Sequence, residues 1–253
     1  MGKVIIEKHG PVTTIWMNRP EKRNALDSEL LAEMIAALRA PVAADDRVVV
    51  IRGKGDVFCA GLDMAERRGT IGSGSASGIE VMLRAIELCP LPVVAVVHGD
   101  AIAGGNELAL HCDLVVASQK ARFGMSLAQV GLAPNWFLAK KLMEVLGPVT
   151  TREMLLLGDP LPSTKLHALG LIARCVPAEQ LEAEATKVID RLAANAPLSL
   201  KAMKALTVRQ LEFRDGIGHD DVDALVQAAM KSQDAQEGMK ARLEKRTAKF
   251  QGK

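Results

Sequence analysis

Apolar residues along the chain follow two spacings, one typical of strands and one typical of helices. Short apolar runs, most of them rich in β-branched residues, predict strands at Val4–Glu7, Val12–Met17, Val48–Arg52, Val93–Val97, Leu114–Ala117, Ala121–Phe123 and within Leu169–Arg174. Apolar positions three or four apart predict helices at Leu26–Ala40, Ile79–Leu88, Gly104–His111, Phe137–Val145, Thr151–Leu157 and from Glu179 onward. Because strands and helices alternate before an all-helical tail, we expect an α/β fold.

A break near Asn195-Ala196-Pro197 divides this pattern into two parts. We interpret residues 1–195 as the core and residues 196–253 as a helical oligomerisation region. The second part carries more apolar residues than a solvated tail requires, at Leu206, Val222, Leu225, Val226 and Met230. Within the first part, Thr70–Gly78 is rich in Gly and Ser and predicts a loop.

The overall charge excludes some classes of function. The formal net charge is +2, with 32 basic and 30 acidic residues mixed along the chain. This balance gives no basis for nucleic-acid or membrane binding. The four cysteines form no CxxC pair, and Met1–Glu7 has no apolar signal region, so a cytoplasmic protein is expected.

Common cofactor and nucleophile motifs are missing from the sequence. Gly53-Lys54-Gly55 follows a strand, but Phe58 stands where a dinucleotide-binding fingerprint requires a third glycine. The sequence contains neither a GxxxxGK[ST] loop nor a GxSxG elbow. The five histidines lack metal-ligand spacing, so we predict neither a metal nor a separate cofactor.

Two glycine-bearing segments carry the candidate chemistry, and each follows a β-branched run. They are Phe58–Asp63 and His98–Glu107. A helix that begins at a glycine directs free N–H groups and the positive end of its dipole outward, which suits an anion. Two such donors aimed at one oxygen would form an oxyanion hole. Taken singly, either segment is better explained as a packing turn, whereas the pair in this order and with a carboxylate is far more specific.

Glu107 follows Gly104 by one helical turn in otherwise apolar sequence. A carboxylate in such a setting is costly unless it has a partner or a chemical role. Burial would raise its pKa and the helix N-terminus would lower it, so it could act as an acid or base. A helix-dipole partner is the structural alternative.

Motifs along the whole chain resemble those of the crotonase superfamily, the enoyl-CoA hydratase/isomerase family. The residues that carry the resemblance are Asn18–Leu26, Phe58–Asp63, His98–Asp113, Phe123-Gly124, Gly131–Pro134, Glu237–Met239 and Leu243–Arg246. The resemblance implies a spiral of ββα turns, a C-terminal helical trimerisation region, and a homotrimer or dimer of trimers.

The resemblance also implies binding of an acyl-CoA thioester, with coenzyme A as part of the substrate. The N–H groups of Ala60 and Gly104 would hold the thioester oxygen as it becomes an enolate, and Glu107 matches the first hydratase glutamate. The residues that would line the substrate are Lys22, Ala60, Leu62, Asp63, Met64, Gly104, Gly105, Leu127, Trp136 and Lys245.

The sequence departs from the hydratase pattern at the second glutamate. Met125-Ser126-Leu127 places a leucine at that position, Pro134–Leu138 lacks the usual glycine-rich run, and Arg242 replaces a tail phenylalanine. Hydration needs a base for water and an acid for the α-carbon, so Glu107 would serve as both. Asn135 and Trp136 could compensate by holding water, or could simply pack.

Three functional hypotheses therefore stay open at this point. The first is an enoyl-CoA hydratase-like lyase with Glu107 as its single acid/base. The second is an isomerase or acyl-CoA decarboxylase, because Leu127 replaces the second glutamate. The third is a non-catalytic CoA-binding scaffold or an RNA binder, and the near-neutral charge disfavours RNA.

Overall fold

The structure is a computed structural model that describes residues 2–67 and 78–253. The predicted Gly/Ser loop at 70–78 lies outside the described residues except for its last position. The strands are β1 Val4–His9, β2 Val12–Met17, β3 Val48–Gly53, β4 Val93–Val97, β5 Ala101–Ile102, β6 Leu114–Ser118, β7 Arg122–Gly124, β8 Leu161–Pro162 and β9 Arg174–Val176. The α-helices are α1 Ser28–Leu38, α2 Met64–Arg67, α3 Gly78–Leu88, α4 Gly104–His111, α5 Trp136–Arg152, α6 Ser163–Ala168, α7 Leu181–Ala193, α8 Pro197–Leu211, α9 Asp220–Lys231 and α10 Gln233–Leu243.

A six-stranded sheet forms the centre of the fold, in the order β1-β2-β3-β4-β6-β9. The first two strands form an antiparallel hairpin, and every later neighbour pairs in parallel. A second, three-stranded sheet has the order β5-β7-β8. This arrangement confirms the predicted α/β class.

Both faces of the central sheet are buried, and alternate side chains of each strand point to opposite faces. On β3, Val49 and Ile51 join the main core beneath α1, α3 and α4, whereas Val48 and Val50 face α7. The same alternation continues along β4. Successive side chains of a strand point to opposite faces of the sheet. Because helices cover both faces here, every position of the strand must be apolar, which explains the unbroken apolar runs.

The C-terminal helices pack on the core of their own chain. Lys204 of α8 is buried, and its ammonium donates to the carbonyls of Ile86 and Leu91 and to Asp113 Oδ2 at 3.0, 3.1 and 2.7 Å. Ala235 of α10 packs against Val130 and Leu132 in a smaller apolar cluster. Trimerisation and the division at residue 195 remain predictions.

The sequence interpretation was wrong about one strand and missed several short elements. The strand expected within Leu169–Arg174 instead spans Arg174–Val176, because residues 169–171 close α6: Gly170 N–H donates to His167 O and Leu171 N–H to Leu166 O. The gap predicted between the helices Phe137–Val145 and Thr151–Leu157 is a kink inside α5, where Gly147 has a φ of 66°. The missed elements are α2, α6, β5 and β8.

Candidate active site

The two glycine-bearing segments lie side by side in the structure. Cys59 N–H donates to Asp100 O at 3.1 Å, and Ile102 N–H donates to Cys59 O at 2.9 Å, which forms a parallel bridge between Cys59 and Ala101. A second bridge joins Leu26 and Leu62. The segment that follows β3 is therefore held between the start of α1 and the strand that leads into α4.

Gly61 and Gly104 approach each other closely enough to exclude a side chain. Gly61 has a φ of +92°, and a Cβ built on it would lie 2.9 Å from Ile102 O and 3.1 Å from Gly104 N. Only glycine adopts this conformation without strain and also leaves the contact open. The backbone of Phe58–Asp63 thus passes directly beside the first N–H of α4.

The start of α4 is set by a strained residue. Ala103 has a φ of 50° and a ψ of −116°, an uncommon backbone conformation for a residue with a side chain. Its N–H donates to Gly124 O at 2.7 Å, which anchors the turn to β7. A Cβ on the neighbouring Gly105 would collide with the backbone of Cys59, so packing requires this glycine.

The N–H of Ala60 is not available to a ligand, contrary to the sequence expectation. It donates to the carbonyl of Arg23 at 3.0 Å. By contrast, neither Leu62 N–H nor Gly104 N–H has a hydrogen-bond partner in the part of the chain that the structure describes. Leu26 pairs with Gly61 O and Asp63 N, and the Leu62 N–H is not used in that bridge. Leu62 N–H and Gly104 N–H are therefore both without a protein acceptor in the described part of the chain.

Glu107 lies one helical turn beyond Gly104, and it is completely buried. Its side chain has 0% exposure, and neither carboxyl oxygen has a hydrogen-bond partner among the described residues. Burial raises the pKa of Glu107 well above its ordinary value, although the Lys141 charge acts in the opposite direction. Burial therefore favours the neutral form of Glu107, a carboxylic acid that can give up a proton.

A buried network supports the backbone of the first segment. Asn24 is fully buried, and its Nδ2 donates to the carbonyls of Lys54, Val57 and Phe58 at 2.8, 2.8 and 3.2 Å. Its Oδ1 accepts from Arg19 N–H at 3.0 Å. These bonds fix the chain just before Cys59.

Arg19 extends this network to the residue after Leu62. Its guanidinium lies 3.1 Å from Asp27 Oδ2 and donates to Asp63 Oδ2 at 3.1 Å. Asp63 therefore holds the loop in place.

The comparisons with known proteins cover nearly the whole chain. The family model described as Enoyl-CoA hydratase/isomerase matches residues 7–253. The chain belongs to the enoyl-CoA hydratase/isomerase family.

Relatives and solved structures of this family match from end to end. A putative enoyl-CoA hydratase of Thermus thermophilus is 34% identical, covering 98% of this chain and 100% of the relative. The 2,3-dehydroadipyl-CoA hydratase of Escherichia coli is 30% identical over the full length of both. A methylmalonyl-CoA decarboxylase structure matches with a TM-score of 0.91 at 25% identity, covering 99% of this chain and 98% of that one. An enoyl-CoA hydratase of Mycobacterium avium subsp. paratuberculosis matches with a TM-score of 0.85 at 30% identity, covering 99% of each chain.

Leu127 stands where the family resemblance leads one to expect a second glutamate. It packs against both the main core and the small cluster around α10. The Leu127 side chain is half-buried, so this position carries an apolar side chain and no carboxyl group.

Asn135 and Trp136, the candidates to compensate for Leu127, make structural contacts. Asn135 Oδ1 caps α5 by accepting from Leu138 N–H at 3.0 Å, and its Nδ2 donates to Glu80 Oε1 at 2.6 Å. The indole of Trp136 donates to Arg214 O at 3.3 Å and stacks on His219. Because their polar atoms are engaged within the protein, the packing interpretation is the better one.

Three further residues predicted to line the substrate lie at the surface or near it. Lys22 is exposed on the 3₁₀ turn Pro20–Lys22, and Met64 begins α2 with a half-buried side chain. Lys245 follows α10 with a φ of 54° and is exposed. Contact of these three residues with a CoA moiety stays a prediction.

The family assignment leaves other expectations untested. Residues 2–67 and 78–253 contain no group of three or more His, Cys, Asp or Glu side chains that could hold a metal ion. Over the same ranges, no helix is both long enough and apolar enough to cross a bilayer.

Sequence reasoning overlooked several residues that organise the site. The Leu62 donor was missed because hydrogen-bond partners of a backbone N–H cannot be read from residue types. Arg19 and Asn24 were noticed as part of a motif and not as a network. His111 lies one helical turn beyond Glu107, and its spacing of four residues was a usable signal.

Proposed function

We propose that this chain is an acyl-CoA-processing enzyme that activates a thioester by stabilising its enolate. The thioester oxygen would accept hydrogen bonds from Leu62 N–H and Gly104 N–H. Glu107 would transfer protons at the adjacent carbons. The observation that carries this proposal is the completely buried carboxyl of Glu107, which follows an unpartnered helix N-terminus by one turn.

The geometry supports enolate chemistry because different groups would stabilise the oxyanion and transfer the proton. Backbone donors that are fixed before substrate binds stabilise the developing oxyanion without reorganisation. A neutral carboxyl nearby can protonate the α-carbon, and its ionised form can remove a proton there. A scaffold that only binds CoA would have no use for a buried carboxyl without hydrogen-bond partners.

Hydration of a 2-enoyl-CoA is the first candidate reaction. Relatives 34% and 30% identical are named as a putative enoyl-CoA hydratase and a 2,3-dehydroadipyl-CoA hydratase, and they match nearly the full length of the chain. With leucine at position 127, Glu107 would both activate the water and protonate the α-carbon.

Decarboxylation of a malonyl-type thioester is the second candidate, and Leu127 favours it. Loss of CO₂ generates the enolate directly, so it needs the oxyanion donors and one acid to protonate the product, and no water-activating base. The close similarity in fold to a methylmalonyl-CoA decarboxylase, with a TM-score of 0.91, points in the same direction.

The test compares Glu107→Gln with a control on a second buried glutamate. Glu144 of α5 is also buried, with 3% side-chain exposure, so Glu144→Gln makes the same change outside the site. Each variant is assayed for hydration of crotonyl-CoA, isomerisation of a 3-enoyl-CoA and decarboxylation of methylmalonyl-CoA, with products identified by mass spectrometry.

We expect Glu107→Gln to slow the native reaction by about 10²–10⁴-fold, the usual contribution of a general acid–base. The control should keep nearly full activity. If Glu107→Gln retained full turnover in every assay that the wild type performs, the assignment of Glu107 would be wrong.

A further inference from the structure

The two stretches of chain that follow β3 and β4 stay side by side beyond the ends of these strands. The strands pair in parallel as far as Ile51 and Ala95. Further along, the bridge between Cys59 and Ala101 joins the same two stretches again. They therefore remain neighbours from the central sheet to the two N–H groups that have no protein acceptor in the described part of the chain.

Between these two points, the side chain of His98 links the stretches. His98 is the first residue after β4, and its Nε2 lies 2.8 Å from the main-chain oxygen of Gly55, two residues after β3. A main-chain carbonyl only accepts hydrogen bonds, so Nε2 carries the hydrogen and donates it. Nε2 is a donor in this tautomer and in the protonated ring, so the bond holds in both charge states.

The residues after His98 bring the two main chains into direct contact. A Cβ built on Gly99 would collide with the main-chain oxygen of Asp56, so the chains meet there without a side chain between them. Asp100 O then accepts from Cys59 N–H at 3.1 Å. The hydrogen bond of His98 is therefore the first in a row of contacts that fixes how the two stretches lie together.

The imidazole of His98 lies on the face of the sheet that α7 covers, opposite to α4. It lines a small cleft together with Trp16, Arg52 and Glu182, the last of these on α7. Val96, two residues earlier on β4, belongs to the apolar cluster beneath α7. The ring therefore acts on the main chain from the side away from the candidate active site.

We propose that His98 is a positioning residue that sets the separation of the Leu62 and Gly104 N–H groups. This inference rests on the proposed function, in which both groups donate to the thioester oxygen. Leu62 lies three residues beyond Cys59, and Gly104 lies three residues beyond Ala101. A change in the spacing of the two stretches is thus carried directly to the donors.

The size of the effect follows from how oxyanion donors work. They stabilise the developing charge because they are fixed in place before the substrate binds. A misplacement of 1 Å in a site can cost about 10²-fold in rate. Because the bond from Cys59 N–H to Asp100 O remains when His98 is replaced, a smaller loss of about tenfold is expected.

Three substitutions separate the hydrogen bond from the packing of the ring. His98→Phe keeps a planar ring and removes the donor, and His98→Ala removes both, so that a donor-free variant without a bulky side chain is also available. His98→Gln removes the ring and restores an N–H donor close to the position of Nε2.

The first assay follows exchange of the α-protons of butyryl-CoA, a saturated thioester that can enolise but cannot be hydrated. Exchange into deuterated water is measured by mass spectrometry over a range of concentrations, which gives kcat and KM. The second assay is infrared difference spectroscopy of bound butyryl-CoA that carries ¹³C at the thioester carbonyl. Hydrogen bonds to that oxygen weaken the C=O bond, so the stretching frequency reports directly on the donors.

His167→Phe is the matched control. Its Nδ1 also contacts a main-chain carbonyl, that of Ile172 at 3.2 Å, and it lies on α6. Thermal unfolding of each variant checks that it is folded, and Glu107→Gln establishes whether the exchange depends on Glu107.

We expect His98→Phe and His98→Ala to lower kcat by about tenfold with little change in KM, since the lost stabilisation belongs to the transition state. The bound carbonyl should shift to higher frequency, towards that of free butyryl-CoA. His98→Gln and His167→Phe should keep the wild-type kcat and frequency. Partial unfolding alone would reduce the amount of active enzyme and leave the frequency of the bound carbonyl unchanged.

The results that overturn the inference differ from those that overturn the proposed function. If a folded donor-free variant kept the wild-type kcat and carbonyl frequency, or if His98→Gln lost as much as His98→Phe, the role of His98 would be wrong and the proposed function would stand. If the wild type left the bound carbonyl at the frequency of free butyryl-CoA, or if Glu107→Gln exchanged at the wild-type rate, the proposed function itself would fail.

Discussion

Replacement of Gly61 by alanine tests the close contact between this residue and the start of α4. The new Cβ would lie 2.9 Å from Ile102 O, 3.0 Å from Ala103 Cβ and 3.1 Å from Gly104 N. None of these atoms belongs to a flexible side chain that could turn away. The variant must therefore either shift the start of α4 or move the backbone that carries the Leu62 N–H.

The magnitude has two parts. A residue with a side chain held at a φ of +92° costs on the order of 1–3 kcal/mol. The close contacts add about 1–3 kcal/mol, as overpacking does in a rigid interior. Together they predict a loss of about 2–6 kcal/mol in the free energy of unfolding.

Gly170→Ala separates these two parts. Gly170 also has a positive φ, +74°, but a Cβ there would meet nothing within 4 Å. Gly170→Ala should therefore lose only the free energy that a residue with a side chain costs at a positive φ. Urea unfolding measures both variants against the wild type.

The functional consequence is measured with the α-proton exchange of butyryl-CoA. Displacing one oxyanion donor typically reduces the rate by about 10²–10³-fold. We expect that loss in folded Gly61→Ala and near-normal exchange in Gly170→Ala. Wild-type exchange by a folded Gly61→Ala protein would refute the placement of the donors beside Gly104.

Three other predictions concern stability, reaction type and assembly. Because burial raises the pKa of Glu107 in the folded state, its favourable contribution to stability is complete below the pKa of unfolded glutamate and is lost as the pH rises through the folded value. The stability of Glu107→Gln relative to the wild type should thus increase with pH in urea titrations, and a pH-independent difference would contradict the buried neutral state. Leu127→Glu should raise crotonyl-CoA hydration strongly if the native reaction is not hydration, whereas unchanged or reduced hydration would count against that view. Light scattering should report a trimer or hexamer, and a monomeric mass would contradict the role predicted for residues 196–253.

The docking of the C-terminal helices on the core can be tested through the stability of the chain. Lys204→Met would leave the carbonyls of Ile86 and Leu91 without their donor and remove the partner of Asp113, at a cost of about 2 kcal/mol. Denaturant unfolding measures this loss, and an unchanged midpoint would show that α8 is held mainly by apolar contacts.

Local patterns were sufficient for most of the architecture. The continuous apolar run of Val93–Val97 predicts a strand buried on both faces, and the structure has a strand with those bounds. The helix from Gly104 to His111 also has its predicted bounds. Short elements such as β5 and β8 were missed because two residues carry no periodicity, and their pairing depends on distant parts of the chain.

The residue types of the site were visible in the sequence, and the hydrogen bonds were not. Glycines beside β-branched runs and a glutamate in apolar surroundings identified the two segments and Glu107. Which N–H groups stay free depends on the acceptors that folding brings near them. The Ala60 N–H, for example, donates to the carbonyl of Arg23. The burial of His111 against Glu87 likewise arises from the packing of α3 on α4.

The sequence by itself determined the α/β order, the family resemblance and the absence of a second glutamate at Leu127, since these depend on residue identity and spacing along the chain. Tertiary structure alone decided that Leu62 rather than Ala60 offers its N–H beside Gly104, and that His111 and Glu87 stand behind Glu107. The physical reason is that hydrogen-bond satisfaction and burial belong to pairs of groups, and folding brings these pairs together from distant positions in the chain.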